Sequence, residues 1–140
     1  MKVAPLAMGA AVPALGRLYI AVREDLPVGL QMAQAVHAGF SYAQGHPEAA
    51  TSWLEDSQYL VIVGVPNEDA LGSLVAEARM RKIPHAAWHE PDLLHPLDAH
   101  HELTAAAFAP VPESRRLCAN LPLAGKQAHQ SRGDAECGAR

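Results

Sequence analysis

Five histidines, His85, His89, His95, His100 and His101, crowd one stretch of the chain with Glu90, Asp92, Asp98 and Glu102. These are the side-chain types that hold transition metals. Their spacing argues against it. No H-E-x-x-H occurs, and adjacent residues such as His100 and His101 point apart on a strand. The expectation is that there is no metal site. A second group lies upstream. Gln31, Gln34, His37, Ser41 and Gln44 follow one another at three or four residues, which makes one polar, uncharged stripe on a helix. Two carboxylates flank a proline at Glu90-Pro91-Asp92, a combination that favours a turn. The two cysteines, Cys118 and Cys137, form no CxxC pair, so neither a disulfide framework nor a zinc knuckle is expected. A reducing compartment, the cytoplasm, is the simplest reading.

The elements that would position these groups can be read from periodicity. Residues 17–23 are short, apolar and partly β-branched, the pattern of a buried strand. From Pro27 to about Gln44 the chain reads as a helix, with no Asp, Glu, Lys or Arg between Leu26 and Pro47. A helix without charges should be mostly covered. Val28, Met32, Ala35, Val36, Gly39, Phe40 and Ala43 are assigned to its packed side. Pro47 to Asp56 reads as a short helix. Gln58 to Val65 is a continuous apolar run, expected as a central strand covered on both faces. Asn67 should cap a helix that begins with Glu68 and Asp69 and ends with Arg79, Arg81 and Lys82, an order that suits the helix dipole. His85 to His89 is expected as a third strand, Leu103 to Ala109 as a fourth, and Pro112 to Cys118 as a last helical turn. Residues 1–16 read as a flexible extension, 17–121 as the folded domain, and 122–140 as a disordered polar tail.

The chain has 140 residues, 49% of them hydrophobic, which suffices for one domain with one core. No run of about 20 apolar residues occurs, so no membrane span is expected. Net charge is −4, and between Arg17 and Leu123 it is −6, from 7 Lys and Arg against 13 Asp and Glu. Nucleic-acid binding normally uses a basic patch, and no obvious one is visible in the sequence.

The stretch Gly29-Leu30-Gln31-Met32-Ala33-Gln34-Ala35-Val36-His37-Ala38 follows a strand ending in Arg23-Glu24-Asp25-Leu26. It resembles the first helix of the archaeal-type peptidyl-tRNA hydrolase family, whose motif is G-K-x-A-A-Q-x-x-H-A. Trp88-His89-Glu90-Pro91-Asp92 and Leu103-Thr104-Ala105 resemble that family's acidic turn and Thr-bearing last strand, and are closer still to a divergent bacterial branch. The resemblance covers about Arg17 to Arg116. It implies a three-layer α/β/α domain with a mixed four-stranded sheet, hydrolysis of the ester joining a peptide to tRNA, and no metal or organic cofactor. It places Gln34 and His37 at the family's helix glutamine and histidine, Glu90 with Asp92 at the acidic position, and Thr104 at the strand threonine. The motif lysine is replaced by Leu30, which has neither charge nor donor.

Under this resemblance Glu90 or Asp92 would orient a water and His37 would exchange protons. Thr104, Gln34 and Gln31 would supply hydrogen bonds. The partner is tRNA or peptidyl-tRNA, bound weakly given the acidic balance, and a homodimer is open. The alternative is a binding module on the same fold, using the groove for an RNA end or a protein partner without chemistry.

Overall fold

The computed structural model describes residues 16–91 and 101–126. The apolar run Leu18–Arg23 forms β1, buried at every position. Leu60–Val65 (β2) pairs with it in parallel, and Glu102–Phe108 (β4) pairs with its other side antiparallel. His85–Glu90 (β3) then pairs antiparallel with β4, giving the order β2-β1-β4-β3. Parallel β1 and β2 require a crossover. It is made by Val28–Gly45 (α1) and Pro47–Asp56 (α2). Glu68–Met80 (α3) joins β2 to β3, and Pro112–Leu117 (α4) follows β4. Helices cover both sides of the mixed sheet, so the expected three layers are present.

Local chemistry explains the boundaries. Asn67 caps α3 by accepting from the amide of Ala70 at 2.9 Å, with Glu68 and Asp69 in the first turn and Arg79 in the last. The α1 N-cap is Pro27, with no side-chain cap. The four alanines Ala105, Ala106, Ala107 and Ala109 sit in or just past β4 and are buried. Such small side chains let α1 and α3 approach the sheet from opposite faces at interior packing density.

Three expectations need correction. β2 is an edge strand, with Tyr59 and Leu60 exposed; its continuous apolar run reflects burial of only Val63, Gly64 and Val65. The assigned tail begins too early. Pro122 accepts from the Gly64 amide at 2.8 Å and Ala124 donates to the Ile62 carbonyl at 3.0 Å, so residues 122–126 run along the β2 edge. Backbone groups at an open edge attract such a partner whatever the composition of the added segment. The rest of that tail, and the N-terminal extension up to residue 15, lie outside the described residues.

The third correction is the face of α1. Its buried residues are Gln31, Gln34, Ala35, Ala38 and Tyr42, whereas Met32, Val36 and Phe40 are 65%, 56% and 74% exposed. The small side chains of Ala35 and Ala38, with Gly39 beside Ile20, set the closeness of the helix to the sheet. The long amides beside them then reach polar partners inside. Polarity here marks hydrogen bonding in the interior, not solvation.

Candidate active site

The pairing of β3 with β4 is irregular between Trp88 and His89. Trp88 faces Ala105 while His89 faces Leu103, so Thr104 is the extra residue of a β-bulge. A bulge re-aims side chains that strict alternation would place on the other face. Thr104 thereby reaches α1. Its hydroxyl donates to Gln34 Oε1 at 2.7 Å and lies 3.5 Å from the Trp88 carbonyl oxygen. Thr104 is 0% and Gln34 3% exposed.

Above this buried pair lies a more accessible layer organised by Trp88. The imidazole of His37, exposed on α1, stacks on the indole with ring centroids 4.6 Å apart and planes 5° from parallel. The indole Nε1 donates to Glu90 Oε2 at 3.0 Å. Gln34, Thr104, His37 and Glu90, which come from three elements, therefore meet around one tryptophan. Trp88 is the member that sequence reasoning passed over. It stood within the quoted acidic stretch, but only the stacking and the bulge give it a role.

The bulge is held from the far side of the sheet. The peptide groups of Leu103 are bound by side chains: its amide donates to Glu68 Oε1 at 3.1 Å, and its carbonyl accepts from Arg23 at 3.3 Å. Arg23 also donates to Asp25 at 2.9 and 2.8 Å and to Glu102 at 3.1 Å. The hydrogen bond to Asp25 raises the Arg23 pKa against the lowering effect of burial, and the same bond holds the Asp25 carboxyl below its ordinary value.

Gln31 does not join this group. Its amide donates to the Leu26 carbonyl at 2.7 Å, closing the turn before α1, and its Oε1 is buried without a partner among the described residues. Leu30 is half-buried in the first turn of α1. Asp92, together with His95, His100 and Asp98 of the histidine-rich stretch, lies outside the described residues. Among the described residues, no three metal-ligand side chains converge.

The family model Peptidyl-tRNA hydrolase PTH2 matches residues 17–116. The chain belongs to this peptidyl-tRNA hydrolase family. The match begins one residue before β1 and ends one residue short of the end of α4, so it includes all four strands, the first three helices and all four residues that meet at Trp88. No curated protein matches the chain. No helix among the described residues is long and apolar enough to cross a membrane.

Proposed function

We propose that this chain hydrolyses the ester between a peptidyl or N-blocked aminoacyl group and tRNA, at the Glu90 end of β3. Membership of the peptidyl-tRNA hydrolase family supports the substrate class. The observation that carries the reading is the Trp88 assembly, with an imidazole stacked on the indole face and a carboxylate bonded to the indole Nε1. In the proposed reaction Glu90, with Asp92 following it in the chain, takes a proton from water as its oxygen attacks the ester carbonyl. The bond to the ribose oxygen breaks and His37 supplies that oxygen's proton, leaving a free carboxylic acid and a tRNA hydroxyl. No covalent intermediate forms. Thr104 and Gln34 are bonded to each other beneath, with the Thr104 hydroxyl 3.5 Å from the Trp88 carbonyl oxygen.

Hydrolysis of N-blocked aminoacyl-tRNA by the purified protein is the test. Glu90→Gln with Asp92→Asn should slow it by roughly 10²–10⁴, the usual worth of a general base. Wild-type turnover no faster than that double variant would remove the reading.

Leu30 favours a second reading, a groove that binds an RNA end without chemistry. A leucine at the family's lysine position cannot steady developing negative charge. Leu30→Lys separates the two. A large gain in hydrolysis identifies an enzyme slowed at one position, and unchanged hydrolysis favours the binding module.

A further inference from the structure

The acidic sum of this chain conceals a separation of charge along the strands. At the end where β1, β2 and β3 finish and β4 starts lie Glu24, Asp25, Glu68, Asp69, Glu90 and Glu102. Among the described residues the one cation there is Arg23, buried and bound to three of these carboxylates. The candidate site is at this end. Here six acids against one base give −5 among the described residues, which disfavours a long run of phosphates.

The opposite end carries bases. Arg79, Arg81 and Lys82 close α3, and Arg115 and Arg116 close α4; all five are exposed, and with Glu77 and Glu113 on the same two helices they leave a net +3. The two helices pack on each other. The turns beside them are joined as well, since the Ala109 amide donates to the Pro84 carbonyl at 2.9 Å. Arg81 is paired with Glu77, and among the described residues no other member of the five has an acidic partner. Each helix end accounts for its own bases through its dipole, but packing the two ends together places all five on one side of the molecule.

We propose that this α3–α4 end is a binding surface for the phosphate backbone of the tRNA body, separate from the site that takes the ester. The inference rests on the tRNA reading of the preceding section. β3 spans six residues, so at about 3.3 Å per residue the two ends are about 17 Å apart. A small ester cannot touch both, and a tRNA can. The charge separation also sets direction: the backbone is held at the basic end, and only the single-stranded 3′ end with its ester reaches the acidic one. Affinity then comes from the remote end and depends on salt, because each neutralised phosphate releases counterions.

The probe is deacylated tRNA, whose binding by the full chain is measured against salt concentration. Arg115→Glu with Arg116→Glu should weaken binding about tenfold at moderate salt, and lower the slope of log affinity against log salt by about 1.5, at roughly 0.7–0.9 per lost contact. Arg115→Gln with Arg116→Gln, a milder change, should move both in the same direction by less. Thermal melting confirms that each variant is folded. For hydrolysis, the arginine variants should raise KM for N-blocked aminoacyl-tRNA with kcat unchanged. They should leave cleavage of an N-blocked aminoacyl ester on a short 3′ oligonucleotide unaffected. Wild-type protein that binds no deacylated tRNA at low salt overturns the proposal, as does binding that folded charge-reversed protein retains in full. Absence of hydrolysis with salt-dependent binding that the arginine variants lose would defeat the enzymatic reading and leave this one standing.

Discussion

The hydroxyl of Thr104 donates a hydrogen bond to the amide oxygen of Gln34, and both side chains are buried. Removing one partner there strands the other, which costs more than the bond itself is worth. Thr104→Val keeps the shape and deletes the donor, and should destabilise by about 1–3 kcal/mol in urea unfolding. Thr104→Ser keeps the hydroxyl and should recover part of that loss. Asp25 makes a prediction about pH. Its carboxyl is held below the ordinary value by the hydrogen bond from Arg23, so the native state binds that proton more weakly than the unfolded chain does. The resulting stability is complete above the unfolded pKa, near ~4, and is lost as pH falls through the lowered folded value. Asp25 is substantially exposed, so Asp25→Asn should cost only about 0.5–1 kcal/mol at neutral pH. The gap between the two proteins should close in acid; a gap that stays constant down to pH ~2 would show that the pair does not couple to folding. At this scale the sequence was a partial guide. Spacing placed Gln31 and Gln34 on one stripe, but spacing cannot say that one amide closes the turn before the helix while the other meets a strand hydroxyl. Trp88 was out of reach because its role depends on a bulge, and no local composition announces one.

α1 shows where reasoning from polarity fails. The absence of charge suggested a mostly covered helix, yet only five of its 18 residues are buried. Assigning Met32, Val36 and Phe40 to the interior then followed from hydrophobicity alone. The opposite face is inside because Ala35, Ala38 and Gly39 let the helix approach the alanine-rich sheet closely, with Gln31, Gln34 and Tyr42 buried beside them. The glutamines come in with it and are tolerated because carbonyls and a hydroxyl wait for them. Mutations should reflect this inversion. Met32→Lys and Phe40→Ser, both on the exposed stripe, should change stability by less than about 0.5 kcal/mol. Ala38→Leu, facing the sheet, should overpack it and cost roughly 1–3 kcal/mol. A large loss from Phe40→Ser would mean that the stripe is covered. α3 was legible by contrast, since its cap, its acidic first turn and its basic end are all local signals that tertiary packing had no cause to override.

At the scale of the whole molecule, the eight elements among the described residues could be read in order from periodicity and breakers, but strand order could not. Parallel pairing of β1 with β2 and the central place of β4 depend on which faces the helices cover, and that is decided only on assembly. The reading of β2 as central failed for this reason. An apolar run reports burial, and burial here comes partly from residues 122–126 laid along the edge. A pair of truncations tests that arrangement. Ending the chain after residue 126 leaves both backbone bonds to β2 in place and should leave the urea midpoint nearly unchanged. Ending it after residue 121 removes the bonds at Gly64 and Ile62 and uncovers the edge. At about 0.5–1.5 kcal/mol per bond, the loss should be about 1–3 kcal/mol. The shorter protein should also aggregate more readily, because β2 then presents unpaired donors and acceptors to other chains. Equal midpoints for the two truncations would mean that residues 122–126 contribute nothing to holding the edge, and that β2 is stable on the strength of β1 alone.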